Sequence, residues 1–109
     1  MIDLYQRKAL QKIINSDIIK DIYPVIDNIE VHYFETPSNF FTDELRLNIY
    51  LNDPEANKIN LYDKFQFDYH WLIDHHIRKL LPYFSIDNDN TAIRYRIYDT
   101  NFDIIEKNY

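Results

Sequence analysis

The sequence predicts an α+β fold in the order α-β-β-α-β(β), with an antiparallel-rich sheet of three to four strands and two helices packed on one face. Three observations predict it. Two stretches repeat apolar residues at helical spacing, and three or four others alternate apolar with polar residue by residue. Each alternating stretch is apolar on one side only, whereas strands covered on both faces read as near-continuous apolar runs. The second face of the sheet is therefore expected to be wet.

Each element has its own signal. Asp3-x-x-Gln6 is a capping box with Asp in place of Ser or Thr. Leu10, Ile14, Ile18 and Ile22 then recur at helical spacing, which predicts one helix to about Lys20, closed by Pro24. Residues 28–35 alternate, with Ile29, Val31 and Tyr33 on one side. Residues 43–52 alternate more cleanly, setting Leu45, Leu47, Ile49 and Leu51 against Glu44, Arg46, Asn48 and Tyr50. Thr36-Pro37-Ser38-Asn39 links the two as a hairpin with a long loop. The stretch 53–62 is polar and irregular. A second helix is predicted from about Lys64 to Leu81, its apolar face carrying Tyr69, Ile73, Ile77, Leu80 and Phe84 and its end set by Pro82. Residues 92–98 form a third strand with Ile93, Tyr95 and Ile97 inward. Asp99-Thr100-Asn101 reads as a turn, and Phe102–Glu106 as a short fourth strand.

Composition narrows the chemistry. The 109 residues suit one domain, 1–109, around a single core. There is no glycine, where average usage is about 7%. P-loops, dinucleotide turns, G-x-S-x-G elbows and EF-hand turns all need backbone that a Cβ blocks, so each is excluded. Ten tyrosines promise half-buried rings whose hydroxyls reach water. The net charge of −6 argues against a general DNA binder. Cysteine is absent, which removes disulfides and thiolate metal sites. No apolar run approaches the roughly 18 residues of a membrane span, and Met1-Ile2-Asp3 opens no signal peptide. A cytoplasmic location is expected, in the host cytoplasm or the virion if the chain is viral. Abundant Ile, Asn, Asp, Tyr, Phe and Lys with scarce Ala and no Gly matches AT-rich codons, as in many phages, viruses and low-GC bacteria.

Catalytic patterns are weak. Asp87-x-Asp89-x-Thr91, after the apolar Tyr83-Phe84-Ser85-Ile86, resembles the aspartyl-phosphate motif of haloacid-dehalogenase-type phosphatases. That resemblance implies a nucleophilic first Asp and a second Asp handling the leaving-group proton. The later Lys and acidic ligands of that family have no counterpart, and an Asx-rich turn explains the pattern. Asp74-His75-His76 spells the signature of the DHH phosphoesterases, but it lies within an amphipathic helix and lacks that family's further aspartates. His70 and Asp74 stand at i, i+4 and converge above one helix face, the basis for the least favoured alternative, a metal-dependent hydrolase. One helix supplies too few ligands for a closed zinc site. Ser16, Ser38 and Ser85 lack a neighbouring base. Neither enzyme activity, metal nor cofactor is expected.

Two surfaces remain. Strand parity puts His32, Phe34, Arg46, Asn48, Tyr50, Arg94, Arg96 and Tyr98 on the wet sheet face. Rings interleaved with arginine suit single-stranded nucleic acid, because rings stack on bases and guanidinium groups meet phosphates. Alternatively Arg94 and Arg96 pair across strands with Glu30 and Glu44. The other surface is aromatic: Phe40 and Phe41 beside the hairpin loop, and Trp71 on the polar side of the second helix near His75, Arg78 and Lys79. Exposed aromatics with a cationic rim fit a protein interface. The favoured expectation is a small non-enzymatic protein-interaction module, of a phage- or virus-type accessory or structural kind. It would contact a protein partner or a second copy through Trp71, Phe40, Phe41, Tyr50 and Tyr98. Single-stranded nucleic acid binding through Arg46, Arg94, Arg96, His32 and Phe34 is the alternative. No membrane role is expected.

Overall fold

The computed structural model describes residues 2–35 and 43–109. Phe40 and Phe41 lie outside the described residues. In chain order the elements are α1 (Leu4–Ile14), α2 (Asp17–Ile22), β1 (Ile26–Phe34), β2 (Asp43–Leu51), α3 (residues 69–80), β3 (Thr91–Tyr98) and β4 (Ile104–Lys107). The four strands form one sheet in the order β1-β2-β3-β4. The α+β class and the element order agree with the sequence reading. β1/β2 and β3/β4 are antiparallel, while β2/β3 is parallel. A parallel pair needs a crossover, and the long connection from Leu51 to Thr91 supplies one that contains α3.

The capping box forms as the sequence predicts. Asp3 Oδ1 accepts from the Gln6 amide at 2.8 Å, and Gln6 Oε1 accepts from the Asp3 amide at 3.1 Å. The single helix predicted to Lys20 is, however, two helices, with Asn15 capping the end of α1 and Ser16 the start of α2. The break shifts the helical phase by one residue, so Ile19 and Tyr23 are buried while Ile18 and Ile22 stand 71% and 45% exposed. Its cause is the outer edge of β1, where Arg7, Gln11 and Asn15 serve as a polar ladder. Arg7 Nη1 donates to the Tyr33 carbonyl. Gln11 donates to the Ile29 carbonyl at 2.5 Å and accepts from the Val31 amide at 2.6 Å. Asn15 accepts from the Ile29 amide at 3.1 Å and donates to Asn28 Oδ1 at 2.6 Å. Four helical residues rise about 6 Å, close to the roughly 6.6–6.8 Å of two strand residues. Side chains four apart on α1 therefore meet residues two apart on β1.

The second helix starts later than its periodicity suggests. Gln66 adopts φ 53°, and Asp68 then caps α3 by accepting from the amides of His70 at 3.0 Å and Trp71 at 3.2 Å. Its middle, Leu72–Ile77, is π-helical and buries Leu72, Ile73 and Ile77. Pro82 lies in the 3-10 turn Leu81–Phe84, which Ser85 ends in a left-handed conformation.

The core lies between the sheet and the helices. Leu45, Leu47, Ile49, Ile29 and Ile97 from the strands meet Leu10, Ile14, Leu72, Ile77 and Leu81 from the helical side, all essentially without exposure. Burying one such side chain contributes about 1.5–3 kcal/mol. The residues alternating with them, Glu44, Arg46, Asn48 and Tyr50, remain half-buried on the other face. That face is the open side of the sheet. No helix among the described residues is long and apolar enough to cross a membrane.

Candidate functional site: the open face of the sheet

Register turns strand parity into an ordered surface. His32, Arg46 and Arg94 form one row across β1, β2 and β3. Glu30, Asn48, Arg96 and Lys107 form the next row, and Asn28, Tyr50, Tyr98 and Ile104 the one after it. Phe34 pairs with Glu44 at the far end. The eight residues that parity assigns to this face are thus brought together on it.

Most of the polar groups are engaged within the chain. Glu44 accepts from Arg46 Nε at 2.8 Å and from Arg94 Nε at 3.3 Å. Glu30 takes a 2.7 Å contact from His32 Nε2 and a 3.0 Å hydrogen bond from Asn48. Those bonds, His32 first, hold the Glu30 carboxyl below its ordinary pKa. Arg94 pairs with Glu44 as the cross-strand reading anticipates. Arg96 does not meet Glu30 and instead lies over the ring of Tyr109, 4.1 Å from its centroid. Arg46 stands over Phe34 at 4.5 Å and over Tyr109 at 5.0 Å. The Tyr109 hydroxyl donates to Asn48 Oδ1 at 3.0 Å, and burial raises its pKa. Phe34, Arg46, Tyr109 and Arg96 therefore form a continuous cation–π stack.

The other end is aromatic. Tyr50 and Tyr98 stack at 5.0 Å with planes 16° apart, and Phe102 meets Tyr50 edge-on at 6.0 Å. Burial is the main cause that raises the Tyr50 pKa. Phe102 holds φ 63° and is 72% exposed. An aromatic residue costs about 1–2 kcal/mol in that left-handed region. The strain is fixed by Asp99, whose Oδ1 accepts from the amides of Asn101 at 2.9 Å and Asp103 at 3.0 Å. The turn thus aims Phe102 outward beside the exposed Ile104.

Trp71 lies elsewhere, on α3, 51% exposed and stacked on His75 at 3.5 Å. His70 and Asp74 do not assemble a site, since the His70 ring packs on Tyr69 at 4.3 Å and Asp74 pairs with Arg78 at 3.6 Å. Among the described residues no group of three or more His, Cys, Asp or Glu could hold a metal ion. Asp87 acts as a cap: its carboxylate accepts from the Asp89 amide at 3.0 Å and from Asn90 at 2.6 Å, and its carbonyl from Thr91 at 2.6 Å.

Sequence reasoning missed Phe102, Ile104, Lys107 and Tyr109 as members of this face. The predicted fourth strand hinted at the first two, but the bulge that shifts register at Ile97/Tyr98 hides their parity. No protein-family model, curated protein or solved structure matches the chain, so function is argued from these surfaces.

Proposed function

We propose that this chain is a non-enzymatic protein-interaction module that engages its partner through the open sheet face. Phe102, Tyr50 and Tyr98 form the apolar anchor, and Arg46, Arg94 and Arg96 the polar rim. The observation that carries this reading is Phe102, strained into φ 63° yet 72% exposed beside a stacked tyrosine pair. Strain of this kind accumulates at functional positions, and aromatic and arginine side chains dominate interface energetics. The AT-rich composition suits an accessory or structural component of a phage- or virus-type assembly.

One observation favours the nucleic-acid alternative. This face carries Arg46, Arg94, Arg96 and Lys107 against Glu30 and Glu44, a cationic excess within a chain of net charge −6. Base stacking, however, needs accessible ring faces. Tyr50 and Tyr98 cover one another, and Arg46 and Arg96 lie over Phe34 and Tyr109. A protein surface that packs against ring edges and hydrogen-bonds arginine fits better.

The test pairs two assays. Partner capture from the native host with wild type, Phe102→Ala and Trp71→Ala is expected to lose the partner in Phe102→Ala with the near-UV spectrum of the fold retained. Anisotropy titrations with mixed-sequence single-stranded RNA and DNA at low salt are expected to show no binding. Salt-sensitive nucleic-acid binding abolished by Arg94→Ala/Arg96→Ala would replace this reading with the alternative.

A further inference from the structure

On the helical side of the sheet, beside β4, lies a cavity of about 310 Å³. It is lined by the aromatic residues Tyr62, Phe67 and Tyr69 and by the acidic residues Asp68 and Glu106, among others. These groups come from three separate places: the irregular segment before α3, the first turn of α3 and β4. Aromatic faces carry negative quadrupole charge and attract cations within about 6 Å. Two acidic residues in an aromatic-rich lining give the cavity a character that favours a cation. Its volume sits near the lower bound of small-ligand pockets, about 300 Å³, which suits one extended side chain better than a cofactor.

The protein already places an ammonium here. Lys58 Nζ stands 3.6 Å from Glu106 Oε2, and the lysine side chain is 69% exposed. That contact is single, long and solvent-facing, so it is readily exchanged for another ammonium. Asp68 is steadied in place by the α3 amides that its Oδ1 caps. We infer that this cavity is a binding site for the ammonium of a lysine side chain presented by another polypeptide, with Lys58 as its intramolecular competitor. The site is distinct from the open sheet face and does not depend on it.

The test is an amide-resolved NMR titration of the full chain with Nα-acetyl-lysine methylamide at low salt. His70 also lines the rim, and the titration is run at one fixed pH throughout. Saturable shifts confined to residues 58–70 and 104–107 are expected, with affinity in roughly the millimolar range. The Nε-acetylated compound, which lacks the charge, is expected to give none. Glu106→Gln, isosteric and on the cavity wall, is expected to weaken binding about fivefold, and Lys58→Ala to strengthen it about twofold. Phe102→Ala is expected to leave it unchanged, which separates this site from the sheet-face reading. Absence of saturable shifts up to about 50 mM, equal binding of the neutral compound, or equal affinity in Glu106→Gln would each overturn the inference. Clearly tighter binding of n-butylammonium than of the lysine derivative would overturn the polypeptide source and leave a site for small amines.

Discussion

A chain with no glycine must put other side chains where its backbone turns left-handed, and it uses Gln66, Ser85 and Phe102, at φ 53°, 57° and 63°. Ser85 ends a helical segment, the position where glycine is most favoured. Ser85→Gly is expected to stabilise the fold by about 0.5–1 kcal/mol and to raise the melting temperature by about 2–5 °C. Thermal unfolding followed by circular dichroism checks this, and an unchanged or lower midpoint would show that the site carries no strain. Phe102 takes the left-handed position of the Asp99–Asp103 turn between β3 and β4, where a glycine is also favoured, but there the exposed side chain is an aromatic ring. A different tension sits at His76, whose ring meets Tyr23 edge-on at 5.9 Å. Neither His76 Nε2 nor Tyr23 Oη, both buried, has a hydrogen-bond partner among the described residues. Burial, then Lys79 and His75, lower the His76 pKa, while burial and then Asp68 push the Tyr23 hydroxyl up to about 12. The folded state thus resists protonating His76, whereas the unfolded chain takes the proton near about pH 6.5. The stability that results is present above that pH and is lost as pH falls toward the folded value. The urea midpoint is expected to fall between about pH 7.5 and 5.5, and His76→Leu to flatten that slope. An identical slope in the variant would assign the titration to another group.

At the scale of elements, the pairing of α1 with β1 decides how the sheet is closed. A bare edge strand is a template for unwanted pairing, and here Arg7, Gln11 and Asn15 occupy the amide and carbonyl of Ile29, the amide of Val31 and the carbonyl of Tyr33. The Gln11 carboxamide both donates and accepts, as a backbone peptide of a neighbouring strand does. Gln11→Glu keeps the shape and the acceptor but turns a carboxylate oxygen toward the Ile29 carbonyl. It is expected to lower stability by about 1–3 kcal/mol at neutral pH, more than Gln11→Met, with urea unfolding as the measurement. Equal losses would mean that only packing matters at this position. The same ladder shows what the sequence made legible. Strand parity correctly assigned every residue from His32 to Tyr98 to its face, because a period of two leaves little choice once one side is apolar. The break at Asn15 was hidden because Ile18 and Ile22 continue the apolar spacing, and only β1, distant in sequence, demands the Asn15 side chain. The direction of β3 was likewise not legible in its alternation. The span between Leu51 and Thr91, too long for a hairpin, was the available signal for a crossover. Tyr109 lies beyond any strand, so parity gave no address for its ring between Arg46 and Arg96.

For the molecule as a whole, the open face spans both the best-buried strands of the sheet and its weakest edge. β2 and β3 are central in the sheet, flanked on both sides by pairing, and Leu45, Leu47, Ile49 and Ile97 on them are fully buried. β4 is a four-residue edge strand with a register shift at its start, and the turn before it carries the strained Phe102. Amides opening only through global unfolding are expected in β2 and β3, while residues 99–107 exchange through local opening of much lower free energy. Arg46, Asn48, Tyr50, Arg94, Arg96 and Tyr98 thus stand on the rigid part of the sheet, and Phe102 and Ile104 on its least stable margin. A partner that buries Phe102 against the Tyr50/Tyr98 pair must order that margin. Added partner is therefore expected to slow exchange in residues 99–107 and to leave β2 and β3 unchanged. Hydrogen exchange of the free and bound protein measures both at once. If protection instead concentrates around Trp71 in α3, the helix face is the binding surface, and the exposed Phe102 is strain without a contact.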